Sequence, residues 1–333
     1  MNLSIAGIFS LARTRPNVAP EDMGMILAGA ALLSLLSVAL AVRLRLYRLA
    51  AAAGPAQMAP GESGIVLAVM LLGVLAAFFG VAGLAIGPLE QTHGAAGRLI
   101  ATALGMSAAV GLVVGLSAFY RRDGLRLMGF DGGPIALRGS VLVGLLAAVI
   151  AFPWVFWTAL GSSALLAPQQ PAMHEIFEAW ADADATWRIL AVFSAVVVAP
   201  VGEEVIFRGL LQRIIWRIAR KFVGAPPTAR PESSAAPQSL GPEAAAPVPD
   251  SSAVSLSPAR LNSPSPVCSW VAILVASLLF ALTHRPPAIV PPIFILSLAL
   301  GYVYERTGSL PAVMVMHAAF NAAQFALFLS LVS

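Results

Sequence analysis

The chain has 333 residues, of which 59% are hydrophobic and 11% charged, with a mean hydropathy of +0.85 and a formal charge of +4. A soluble domain carries roughly 25% charged residues, so this composition excludes an ordinary water-soluble fold and makes lipid part of the solvent. The basic excess is arginine, with Lys221 the single lysine, and it gathers at the ends of apolar runs, which points to membrane topology and to no nucleic-acid partner.

In chain order, residues 3–12 are weakly apolar and are followed, not preceded, by Arg13 and Arg15, which does not resemble a cleaved signal peptide. A spanning helix needs about 20 mostly apolar residues. Four such runs, at about 23–42, 64–86, 99–119 and 139–160, fill an N-terminal block over 1–186. A fifth, about 187–216, lies in the block 187–221. Residues 222–266 are rich in Pro, Ala and Ser, a composition that neither builds a helix nor buries a core, and are read as a disordered cytoplasmic linker. The last block, 267–333, holds runs at about 267–283, 288–304 and 311–332, the first two short enough to be re-entrant. The expected fold is an all-α, polytopic transmembrane helical bundle of about eight spans. With the first helix running inward, fourteen of the twenty Lys and Arg residues fall in inner loops and five in outer ones, with Arg208 inside a helix. Both termini then face outward, in a multi-pass protein of the plasma membrane. No internal repeat supports a transporter built from two copies. The single cysteine, Cys268, excludes an internal disulfide and any multi-cysteine metal site.

Ionisable residues inside apolar helices cost at least about 2.5 kcal/mol each near the bilayer centre, so each needs a reason. Three segments contain them. In the first, Glu203, Glu204 and Arg208 interrupt an apolar run. Glu204 and Arg208 are spaced to pair along one helix face, while Glu203 points about 100° away and is placed to exchange protons near neutral pH. A helix–helix salt-bridge network is the competing reading. In the second, Phe280 and His284 are four residues apart at a helix end, where a histidine is more often a cap than a catalyst. In the third, His317 and Asn321 share one face of the last helix. Two aligned donors suit an oxyanion, and they equally suit an interhelical hydrogen bond. Convergence of all three segments on one interior site explains them together.

The pattern Glu203-Glu204-…-Arg208, Phe280-…-His284, His317-…-Asn321 resembles the CPBP family of intramembrane proteases, also called the CAAX-protease and bacteriocin-processing (Abi) family. The resemblance covers about 187–328 and includes the fuller stretches Glu203–Leu211 and Gly301–Asn321. It implies a hydrolase in which Glu203 is the general base, His284 assists it, His317 and Asn321 stabilise the oxyanion, and Glu204, Arg208 and Phe280 support. It also implies two possible cofactor states: a zinc held by Glu203, His284 and His317, or metal-free glutamate chemistry, toward which Asn321 and the nearby Arg208 tilt the reading. The implied partners are membrane lipid and a protein or peptide substrate. A non-catalytic membrane regulator or immunity protein of the same family is the alternative function, and a proton-relaying transporter a third. His174-Glu175 lacks a second histidine four residues on, and no G-x-S-x-G or P-loop motif occurs.

Overall fold

The computed structural model describes residues 20–43, 64–120, 125, 128–131, 135–166, 184–223, 266–284 and 286–332. The expected linker, apart from its helical edges at 222–223 and 266, lies outside the described residues, as do Arg285 and most of the outer acidic loop. Among the described residues there is no strand. Among the described residues seven long helical elements follow one another: α1 (Pro20–Arg43), α2 (Gly64–Tyr120), α3 (Ala136–Leu166), α4 (185–223), α5 (Pro266–Leu282), α6 (Val290–Thr307) and α7 (Leu310–Val332).

Five of these helices are long and apolar enough to cross a membrane, and Leu27–Arg43 and Val267–Leu282 are shorter apolar helices. The protein is an integral membrane protein built as a helical bundle. Of the difference of three between eight apolar runs and five long helices, two come from these shorter helices and one from α2. It doubles back at Gly94, whose φ of 54° and ψ of −134° are not helical and are tolerated because glycine has no Cβ. Past the bend the two limbs close on each other. A Cβ on Gly97 would collide with the Leu89 carbonyl oxygen, and one on Gly105 would lie 2.7 Å from that of Phe78. The runs at 64–86 and 99–119 are therefore the two limbs of one helical hairpin.

Packing follows lipid rules. Water does not drive helix against helix in a bilayer, so close approach of backbones and interhelical hydrogen bonds must hold the bundle. The buried face of α3 reads Ser140, Gly144, Ala148, Ala151, Val155, Ala159 and Ser162, small residues at three- and four-residue steps. Its large residues, among them Leu142, Leu145, Val149 and Trp154, are exposed where lipid would cover them. The small face receives α7, and Phe152 and Phe156 extend the contact toward Phe320. Trp157 Nε1 donates to Ser34 Oγ at 3.0 Å, tying α1 to the outside of α3.

The turn between α6 and α7 is tucked inside the protein. Gly308, with φ of 64°, caps α6 and donates its N–H to the Tyr304 carbonyl. The segment 128–131 covers the turn, with Leu310 N–H donating to Gly129 O and Tyr304 Oη to Met128 O. Ser140 and Ser309 hydroxyls are 2.7 Å apart. Ser309 and Leu310 are wholly buried, so α7 starts within the protein instead of at its surface.

Two expectations about span ends need correction. Helix α6 runs three residues past 304, to Thr307, and buries Glu305. Arg213, counted with the loop arginines, is buried at the start of the last α-helical stretch of α4.

The α3–α7 contact yields a test. A Cβ at Gly144 would come within 2.5 Å of the Ala312 carbonyl oxygen and 2.9 Å of Val315, and backbone cannot yield as a flexible side chain can. Gly144→Ala is expected to destabilise the protein by about 1–3 kcal/mol through overpacking. Gly111→Ala, at a position with nothing within 4 Å, should not. Thermal unfolding in detergent compares them, and equal melting of both variants would remove this contact from the account.

Candidate active site

Helix α4 carries the acid pair on a distorted backbone. Its α-helical stretches, Ala185–Phe193, Ala199–Glu204 and Arg213–Val223, are separated by wide π-type turns at Ser194–Val198 and Val205–Gln212. Such turns recur at functional sites. The first has a visible cause. Ala199 N–H bonds to the Ser194 carbonyl, five residues back. In the same register Pro200 would bond to Ala195 O, but proline has no N–H. Asn321 replaces it: its Nδ2 donates to Ala195 O at 2.8 Å.

Glu204 is fully buried and bridges two partners. Its Oε2 lies 3.1 Å from Arg208 Nε, the local pair expected from the four-residue spacing. Its Oε1 lies 2.8 Å from His317 Nδ1 on α7. A carboxylate only accepts, so this contact places the Nδ1 hydrogen of His317 on the Glu204 side. The other ring nitrogen, Nε2, then turns toward Glu203, whose Oε2 is 3.8 Å away. That gap is too long for a direct hydrogen bond. Arg208 is in turn held by α6, with Nη2 donating to Ser297 Oγ at 2.8 Å and to Ser297 O at 3.1 Å.

His284 stands in the turn after α5. The prolines that follow end the helix at Leu282, and the chain re-enters through the 3₁₀ turn Pro287–Ile289. Phe280 O accepts from His284 Nδ1 at 2.8 Å, which leaves Nε2 as the basic nitrogen. His284 and His317 both interact electrostatically with Glu203. Phe280 packs among all three segments. Its ring centroid is 4.9 Å from that of His284 and 6.0 Å from that of His317, and the Arg208 guanidinium lies 4.8 Å over its face. Phe207 meets the same ring edge-on.

All seven residues singled out in the sequence thus gather in one region. Asn321, expected at an oxyanion, donates from Nδ2 to Ala195 O. The zinc reading does not fit: among the described residues no three His, Cys, Asp or Glu side chains are grouped to hold one ion. Sequence reasoning missed Ser297, Gln212 and Glu305. The available signal was their four-residue spacing along α4 and α6 (Glu204, Arg208, Gln212 and Ser297, Gly301, Glu305).

Residues 185–323 match the family model described as type II CAAX prenyl endopeptidase Rce1-like. No curated protein and no solved structure matches the chain.

The buried ion pair gives a further prediction. Removing one partner of a buried charge pair costs about 3–5 kcal/mol, because the other charge stays uncompensated. Arg208→Leu should lose stability of that order in denaturant unfolding in micelles. Adding Glu204→Gln should recover part of the loss. A double variant as unstable as the sum of its parts would mean that the Arg208 charge does not hold Glu204.

Proposed function

We propose, from the Rce1-like domain of the CPBP family that residues 185–323 form, that this protein is an intramembrane endopeptidase. Its substrates are membrane-associated proteins or peptides, and it cleaves them with a water activated by Glu203. The observation that carries the reading is the arrangement of the acid pair around one imidazole. Glu204 holds His317 Nδ1, and Glu203 faces His317 Nε2 across 3.8 Å.

In this mechanism Glu203 takes a proton from water as the oxygen attacks the scissile carbonyl carbon. His284, with Nε2 as its basic nitrogen, orients that water. The carbonyl oxygen gains the electron pair of the broken π bond. His317, protonated at Nε2 by transfer from Glu203, stabilises the negative oxygen, with Asn321 as the second donor of the site. Collapse of the tetrahedral species re-forms the carbonyl, and the proton passes to the departing amine. Glu204 keeps His317 in one tautomer throughout, as a buried carboxylate does for a catalytic histidine elsewhere. Burial strengthens each of these interactions. Every step uses residues of the chain itself.

The test is cleavage of a quenched-fluorescence peptide library by the purified protein in detergent. Glu203→Gln should abolish cleavage while the protein still folds. Asn321→Ala should lower kcat by about 10²–10³-fold, the loss typical of one oxyanion donor. Unimpaired cleavage by Glu203→Gln would overturn the mechanism. Full biological effect retained in Glu203→Gln and His317→Ala would favour a non-catalytic membrane regulator.

A further inference from the structure

Helix α6 carries none of the three motifs, yet it hydrogen-bonds directly to the acid–base machinery through Arg208. Ser297 is wholly buried and offers two acceptors, its hydroxyl and its carbonyl, to the same Arg208 nitrogen. The seam between α4 and α6 continues in equal steps. Gln212, four residues after Arg208, donates its amide to Gly301 O at 3.2 Å, four residues after Ser297. A Cβ on Gly301 would lie 3.1 Å from Gln212 Oε1, so the absent side chain makes room for this rung. Glu305, four residues further, is 3.4 Å from Gln212 Nε2 and is fixed from α5 by Ser269 Oγ at 2.5 Å. Three contacts thus run along the α4–α6 seam, and only the first of them joins Ser297 to Arg208.

We infer that Ser297 is a positioning residue for the proposed hydrolysis. It holds the Arg208 guanidinium so that Nε stays on Glu204 Oε2, which in turn holds Glu204 Oε1 on His317 Nδ1. The inference rests on the protease reading for its effect on rate, and on geometry alone for its effect on His317. Losing the Ser297 hydroxyl leaves Arg208 one acceptor, the carbonyl, and lets the guanidinium rotate about it. Glu204 then follows Arg208, and the Nδ1 hydrogen bond of His317 lengthens. The consequence falls on the transition state, where His317 must carry a proton, more than on substrate binding.

Two readouts test this on the full-length protein in detergent. The chain has four histidines, so ¹⁵N-histidine labelling resolves His317, assigned by its loss in His317→Gln. The variants are Ser297→Ala, Ser297→Thr, which keeps a hydroxyl, and Gln212→Leu, which removes the next rung without touching Arg208. Ser297→Cys replaces the alanine variant should that fail to fold. The expected result is a moved His317 Nδ1 signal in Ser297→Ala (or Ser297→Cys), with wild-type signals in Ser297→Thr and Gln212→Leu. With a cleaved peptide, kcat should fall about tenfold in Ser297→Ala, as expected for a lost hydrogen bond to a charged donor, with little change in KM. An unmoved His317 signal in Ser297→Ala would overturn the inference, and so would equal shifts in Ser297→Ala and Gln212→Leu. A wild-type protein that cleaves no peptide would count against the protease reading alone, and the His317 signals would still decide the role of Ser297.

Discussion

The buried carboxylate of Glu204 ties the two halves of the candidate site together. It meets Arg208 from its own helix and His317 from a helix 113 residues further along the chain. The first contact is local and comes with the helix. The second is bought only by bringing α7 against α4. In a bilayer the helices gain nothing from leaving water a second time, so a charge-assisted bond of this kind has unusual weight in deciding which helices meet. A buried charge also tolerates no loose arrangement, because an unmatched partner costs more than the pair gains. Phe280 closes the arrangement on one side, with its wholly buried ring against Arg208, His284 and His317. Its low-dielectric surroundings strengthen the bonds that remain.

The distortion of α4 is the other half of that docking. A regular helix offers its neighbours no spare carbonyl. Pro200, set against a turn of five-residue register, exposes Ala195 O, and Asn321 accepts the position. Helix α7 therefore meets α4 at two heights, with His317 on Glu204 and Asn321 on Ala195, an order that fixes the two helices as antiparallel. One proline thus links the local backbone of α4 to the placement of a side chain on the last helix. Glu203 sits on the stretch between the two π-type turns, Ala199–Glu204, where the helix is regular.

The apolar runs were legible because a span needs only length and hydropathy, and all eight fall on helices. The two limbs of the α2 hairpin were legible as separate runs, because the polar stretch 87–98 divides them, but the bend itself rests on the conformation of Gly94 and was not. The acid pair and both histidines were legible because charge in an apolar helix is costly enough to be rare. Their partners were less so. The four-residue spacing gave Glu204 with Arg208, but nothing in the sequence placed Glu204 on His317 Nδ1 or Asn321 on Ala195 O. Those contacts join distant helices, and periodicity reports only faces of one helix. Glu305 escaped notice because the seventh run was ended at 304, before the turn that Gly308 closes inside the protein.

Burial along α3 departs from the pattern familiar from soluble helices. Apart from Phe156, its inward face is made mainly of small residues, while Leu142, Leu145 and Trp154 face outward. Hydropathy, then, locates spans and little else. What remains to specify the interior is the placement of polar exceptions relative to one another. A serine in a transmembrane helix is too cheap to attract notice alone. Ser297 gains meaning only against the steps Arg208–Gln212 and Ser297–Gly301, which run in phase along two helices 89 residues apart. Two polar ladders of equal step on different apolar helices can be zipped in one register, and a shift by a single turn would leave Arg208 facing a glycine. The matched spacing, not any single residue, is what selects the arrangement seen here.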